Sequence, residues 1–120
     1  MILSKTPNIY SLKNKKEIID LLASGRKVYT KYGIIFLKNI SEAEVTTVAI
    51  LVKKKCGNAV KRNYIKRLLR HFIHEHALQL SKNSKIAFLY LYTGKAEYKK
   101  IETIYLNALN RYEENSTNSH

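Results

Sequence analysis

Hydrophobic and polar positions change their spacing several times along this chain, and each change marks an element. Between 11 and 24, Leu12, Ile18, Ile19, Leu21 and Leu22 recur at helical spacing, with Ser11 as the expected N-cap and Gly25 as the expected stop. Residues 27–38 alternate with the period of a strand: Tyr32, Ile34 and Phe36 fall on one face, Ile35 and Leu37 on the other. A polar turn over 39–44 leads to VTTVAILV at 45–52, a β-branched, apolar run that reads as a buried strand. The longest helix is expected over 57–80, ended by Asn83 and Ser84. Residues 86–92 alternate again, with Ala87, Leu89 and Leu91 against Phe88, Tyr90 and Tyr92. After a turn at Gly94, Tyr98, Ile101, Tyr105, Ala108 and Leu109 mark one side of a last helix over 96–112.

The order α-β-β-(β)-α-β-α predicts an α+β fold, a two-layer sandwich in which helices cover one sheet. The more aliphatic strand face is expected to meet the helices and the more aromatic face to stay partly open. Residues 1–10 read as an irregular lead-in, 11–112 as a single domain and 113–120 as a polar, frayed tail.

Charge changes the picture more than composition does. The 120 residues are 45% hydrophobic, enough for one core, but lysine and arginine number 22 against 9 acidic residues, a net charge of +13. A compact domain holds such an excess against its own repulsion, which points to a polyanionic partner. Cys56 is the only cysteine, so a disulfide scaffold is excluded. No apolar run approaches the roughly 20 residues of a membrane span. Met1 to Lys5 continues into polar sequence without the apolar stretch of a signal peptide. A cytoplasmic protein without a membrane partner is expected.

The cations concentrate in KKKCGNAVKRNYIKRLLRHFIH, residues 53–74, with eight lysines and arginines and no acid. On a helical wheel Tyr64, Ile65, Leu68, Leu69 and Phe72 fall on one side. Arg62, Lys66 and Arg70 form a row on the other, with Asn63, Arg67 and His74 beside it. Solvated faces usually interleave both signs, because acid–base pairs relieve repulsion. A rigid face of one sign fits a phosphate backbone instead. Lys53, Lys54 and Lys55 stand next to the helix start, where free N–H groups also favour anions.

GNAVKRNYIKRLLR, residues 57–70, resembles the signature of the bacterial ribonuclease P protein subunit, with Gly57, Ala59, Val60, Arg62, Asn63, Lys66, Arg67 and Arg70 in matching places. The resemblance extends over nearly the whole chain, through the Ser24-Gly25 stop and the Lys54-Lys55 pair. It departs at Tyr64, where arginine is usual, and at Lys53, where serine is common. Ile18 and Leu22 stand where phenylalanines are common, and no arginine appears around Leu91 and Tyr92, where one is often seen.

The resemblance implies an unusual left-handed β-α-β crossover, which pattern reasoning would not predict because right-handed connections dominate. It implies that the protein binds a catalytic RNA and precursor tRNA, with no protein partner required. The RNA and its Mg²⁺ ions carry out the cleavage that removes the 5′ leader, and no catalytic or metal-binding side chain is expected on the protein. Carried over by position, Lys54, Lys55, Asn58, Lys61, Arg62, Asn63, Lys66, Arg67 and Arg70 would contact the catalytic RNA. Phe36, Ile18, Leu22, Tyr32 and Lys53 would contact the leader. For Ile18, Leu22 and Phe36 core packing is the competing reading.

The remaining residues suggest no second chemistry. His71, His74, Glu75 and His76 lack the zinc-protease spacings, and Asp20 and the eight glutamates form no evident cluster for two-metal catalysis. The alternative from another class is a non-catalytic RNA-binding protein of ribosomal or chaperone type. Composition and the basic face fit both readings, and the segment 57–70 separates them.

Overall fold

The computed structural model describes the backbone of residues 2–4, 9–40 and 45–118, and the side chains of 9–40 and 45–113. The strands are β1 (Ile2–Ser4), β2 (Ile9–Ser11), β3 (Arg26–Thr30), β4 (Gly33–Lys38), β5 (Thr46–Val52) and β6 (Lys85–Tyr90). The helices are α1 (Lys15–Ser24), α2 (Ala59–Glu75), α3 (Ala77–Leu80) and α4 (Tyr98–Asn118), with a 3₁₀ turn at Lys54–Cys56. The strands form one mixed sheet in the order β1-β2-β5-β6-β4-β3. β5 is parallel to both β2 and β6, and the other pairs are antiparallel. Adjacent parallel strands need a crossover, and α2 with α3 supplies it between β5 and β6.

The fold is α+β, as expected, and helices cover both faces of the sheet, so that α1 adds a small layer to the two-layer sandwich. On one face Ile65, Leu69, Phe72 and Ile73 of α2 join Ile101, Tyr105 and Leu109 of α4 over Ile35, Leu37, Val48, Ile86, Phe88 and Tyr90. On the other, Leu21 of α1 packs with Leu12 over Phe36, Ala49 and Ala87. The expected assignment of faces is therefore reversed for β6. Its ring-bearing face, Phe88 and Tyr90, is fully buried, because two helices make a layer deep enough for large rings. Ala49 and Ala87 make the opposite face shallow, so a single short helix closes on it. Burial pushes the Tyr90 and Tyr105 phenols far above the usual tyrosine range.

Several boundaries move for identifiable reasons. Ser11 belongs to β2, paired with Val48, and the α1 N-cap is Asn14, whose side chain accepts from the Glu17 N–H at 3.1 Å. The lead-in expected over 1–10 contains β1 and most of β2, each too short to show a period. The single strand expected over 27–38 is a hairpin. Thr30 Oγ1 donates to the Gly33 carbonyl at 2.9 Å and accepts from the Tyr32 and Gly33 N–H groups at 3.1 and 3.2 Å, closing a tight turn. The helix expected over 57–80 breaks at His76, whose φ of −119° and ψ of 31° end α2. His76 Nε2 there meets Glu102 Oε2 at 2.8 Å, tying the break to α4 and holding the Glu102 carboxyl below its usual range. Tyr98, in the same cluster, is pushed up to about 12 by burial and then by the Glu102 charge. α4 continues to Asn118, through part of the expected tail.

Gly33 sits at the turn with φ +145°, and a Cβ there would drive into the Leu89 carbonyl. Gly57 has a similar φ of +146°, but its Cβ would meet only the flexible Lys61 side chain. Gly33→Ala is therefore expected to cost at least about 2 kcal/mol, more than Gly57→Ala. Urea unfolding of the two variants checks this, and an equal or smaller loss for Gly33→Ala would refute the clash.

Candidate nucleic-acid interface

The entry to α2 is built to crowd cations. After β5, Lys53 donates its N–H to the Tyr90 carbonyl at 3.3 Å, and the Cys56 and Gly57 N–H groups fold back on the Lys53 and Lys54 carbonyls. Cys56 is buried in this turn, its thiol 3.5 Å from the Tyr90 carbonyl. Asn58 caps the helix, accepting from the Lys61 N–H at 2.9 Å. Of the residues expected to touch RNA, Asn58 thus has a structural task of its own. Arg62 Nε donates to the Gly57 carbonyl at 3.2 Å, and Lys61 Nζ to the Thr93 carbonyl at 3.1 Å. Val52, Lys53, Lys54, Lys55, Arg62 and Leu91 then line an open cavity of about 710 Å³, an apolar floor ringed by four cations.

Arg62, Lys66 and Arg70 continue along α2 at one-turn spacing. Arg70 lines a second, smaller cavity of about 150 Å³ with Ser11, Leu12, Lys13, Val48, Ala49 and Ile50. The row therefore runs beside β5 from Val52 back towards Val48. β2 pairs with β5 only from Thr46 to Val48, so the later part of β5 is open on the side of that row. Asn63 and Arg67 are exposed beside it. Tyr64 departs from its wheel position on the apolar side. It is exposed, with the Arg67 guanidinium 5.9 Å from its ring centre, because Ile65, Leu69, Phe72 and Ile73 already fill the buried stripe.

Among the described residues, none of the eight cations from Lys53 to Arg70 has an acidic partner within 4 Å. The ion pairs lie elsewhere: Lys38–Asp20, Lys82–Glu113, Lys85–Glu17, Lys95–Glu97, Lys99–Glu102 and Lys100–Glu97, with His71–Glu75 and His76–Glu102. The surface is thus a concentrated positive field.

The second expected surface, the sheet face under α1, is arranged differently from the expectation. Register sorts it into three cross-strand rows. Lys38, Lys85 and Thr47 form the first; Lys27, Phe36, Ala87 and Ala49 the second; Tyr29, Ile34, Leu89 and Leu51 the third. α1 covers the first two. Asp20 binds Lys38 at 2.8 Å and Glu17 binds Lys85 at 3.4 Å, while Leu21 seals the second row. The Lys38 ammonium holds the Asp20 carboxyl below its usual range. Phe36 is consequently 3% exposed and is a core residue, not an open stacking platform. Tyr32 is 1% exposed, stacked on Tyr90 and edge-on to Tyr92 and Tyr105, and is likewise a core residue. Ile18 and Leu22 pack half-buried at the margin of the smaller core. Lys53 is exposed at the cationic cavity.

The third row is the part left accessible. Ile34, Leu89 and Leu51 are half-buried, and Tyr29 is 69% exposed. None of the four was singled out from the sequence, because one continuous strand over 27–38 hides the hairpin that sets Tyr29 beside Ile34. Among the described residues no group of three or more His, Cys, Asp or Glu side chains could hold a metal ion. His71 instead lies against the Tyr98 ring at 4.6 Å and within 3.8 Å of Glu75. No described helix is long and apolar enough to cross a membrane.

Comparison with known proteins agrees with this architecture. Residues 6–113 match the family model described as ribonuclease P. A ribonuclease P protein component from Citrifermentans bemidjiense is 37% identical over 63% of this chain, and the match spans 65% of that relative, just under two thirds. One from Streptococcus gordonii is 30% identical over 83% of each chain. In three dimensions the RNase P protein of Staphylococcus aureus superposes with a TM-score of 0.76 at 23% identity, covering 86% of this chain and 94% of that one. The Thermotoga maritima RNase P protein gives 0.72 at 19% identity, covering 84% and 96%.

Proposed function

The chain belongs to the ribonuclease P protein family, and we propose that it is the protein subunit of a ribonucleoprotein that removes the 5′ leader from precursor tRNA. The observation that carries this reading is the set of eight cations from Lys53 to Arg70, without acidic partners among the described residues, at the entry to α2 and along it, where the family's signature lies. In this reading the exposed Lys54, Lys55, Arg67 and Arg70, with the half-buried Lys66 in the same row as Arg70, screen the phosphates of a catalytic RNA. Asn63 adds a hydrogen-bonding amide on the same face. Arg62 and Lys61 extend the same field, while Asn58 holds the helix start in place. Phosphodiester hydrolysis belongs to the RNA, and the Mg²⁺ it uses is held by RNA and substrate. The described side chains offer no cluster to hold that ion.

Lys53 and the accessible row from Leu51 to Tyr29 are the surface on which the single-stranded leader would run. Ile18 and Leu22 border that surface. Reconstitution tests the whole reading. The chain added to a bacterial ribonuclease P RNA at low Mg²⁺ should support cleavage at the leader junction, and the chain alone should not cleave. Site-specific cleavage by RNA-free protein would overturn it.

Arg67 and Arg62 separate binding from folding. Arg67 is exposed, with its guanidinium over the Tyr64 ring, so Arg67→Ala should weaken assembly with the RNA by about 1–3 kcal/mol and leave the melting curve within about 0.5 kcal/mol of the parent. Arg62→Ala should lower both, because it also loses the bond to the Gly57 carbonyl. RNA titration and thermal melts of both variants decide the matter. Unchanged binding of Arg67→Ala would remove that residue from the interface.

A further inference from the structure

We propose that Tyr29, flanked by Lys27 and Arg111, is a base-stacking subsite for single-stranded leader RNA at the outer edge of the sheet. This rests on the subunit reading above and names where the leader goes after it crosses the sheet. Three observations carry it.

The first is exposure. Among the described residues only Tyr29 and Tyr64 are large aromatic side chains counted as exposed, and Tyr64 lies on α2 beside Arg67. β3 is the edge strand of the sheet. Charged residues on an edge discourage unwanted strand pairing, which accounts for Arg26 and Lys27. A 69% exposed ring on the same edge has the opposite effect and needs another reason.

The second is the local chemistry. Lys27, Val28, Tyr29, Ala108, Arg111 and Tyr112 line a groove of about 340 Å³ between β3 and α4. Arg26 is engaged over the Tyr112 ring, 5.7 Å from its centre. Lys27 and Arg111 have no ion pair among the described residues. The groove thus brings an exposed ring and two cations without ion pairs into one lining. That is the arrangement single-stranded nucleic acid uses, with bases on rings and phosphates on cations.

The third is continuity. Tyr29 ends the row Leu51–Leu89–Ile34–Tyr29, one residue from each of β5, β6, β4 and β3. At ordinary strand spacing the row spans roughly 14 Å. Its β5 end adjoins the Lys53–Lys55 cavity; at its β3 end Lys27 shares the face of Tyr29, and Arg111 comes from α4 on the opposite face across the free edge of the sheet. An apolar lane with cations at both ends fits an extended polyanion whose bases lie on the sheet. The second row cannot serve, since α1 closes it.

The test uses the ribonucleoprotein reconstituted with a bacterial ribonuclease P RNA, titrated at fixed salt with precursors bearing a long or a very short leader. Tyr29→Ala should lower affinity for the long-leader precursor by about 5- to 150-fold, the range expected for one lost stacking contact. Affinity for the short-leader precursor should not change, and Tyr29→Phe should restore the parent value. The chain has no tryptophan, so Tyr29→Trp places a single emitter in the groove, and its fluorescence should be quenched by the long leader alone. Equal losses for both precursors, or no loss for either, would overturn the subsite while leaving the subunit reading intact. Failure of the parent ribonucleoprotein to cleave any precursor would overturn both.

Discussion

Raising salt from about 50 to about 200 mM should weaken binding of this protein to its RNA by about 100- to 500-fold. The cause is release of the counterions condensed on RNA when protein cations replace them. Arg62, Lys66 and Arg70 run along one side of α2, Arg67 stands beside them, and Lys53 to Lys55 ring the cavity at the helix start. If about 5 of these reach phosphates, the slope of log K against log salt is about −3.5 to −4.5. Removing one exposed cation, as in Arg70→Ala, should make the slope shallower by a little under one. Titrations over four salt concentrations suffice to measure it. A slope near zero would mean that the positive field is not used for RNA, and the proposed function would lose its main support.

The second large effect concerns the platform that carries those cations. Phe72→Ala is expected to destabilise the fold by about 3–5 kcal/mol. Phe72 is fully buried on α2, edge-on to Phe88 at 6.0 Å and to Tyr105 at 5.3 Å, with the His76 ring at 4.8 Å. It is therefore the point at which α2, α4 and β6 meet. Truncation leaves a cavity that three elements would have to collapse together to fill, and the sheet holds one of them rigid. Such a loss is a large share of the roughly 5–15 kcal/mol that stabilises an ordinary domain. Phe72→Leu should lose much less. Urea unfolding of both variants measures this, and RNA binding by the fraction of Phe72→Ala that remains folded should be nearly normal. A loss below about 1 kcal/mol would show that α2 is held by something other than this ring cluster.

The cations and Phe72 lie on opposite faces of one helix. The basic rows follow from one-turn spacing alone, since Arg62, Lys66 and Arg70 repeat every four residues whatever α2 packs against. The buried stripe follows in the same way, apart from Tyr64, which sits at its margin. There a wheel angle cannot decide, because exposure depends on how far the neighbouring elements extend. The helix break at His76 is also not periodic information, being fixed where His76 meets Glu102 from α4.

Local patterns were enough for the mixed α+β composition, for strands over 45–52 and 86–92, within two residues of β5 and β6, for the polarity of α2, for the excess of cations near its start and for the resemblance at 57–70. All of these are local, set by spacing, turn chemistry and charge within one segment. Which strand face is the deep core followed from packing between distant segments, and that reversed the roles of the aromatic residues. Phe36 and Tyr32 are sealed because α1 lies over one and a cluster of tyrosines surrounds the other. Tyr29 is open because its strand is last in the sheet and α1 stops one row short of it. Strand alternation tells which residues share a face but not what covers that face. Cover is a property of pairing register and helix placement between segments distant in the chain, and no local pattern carries it.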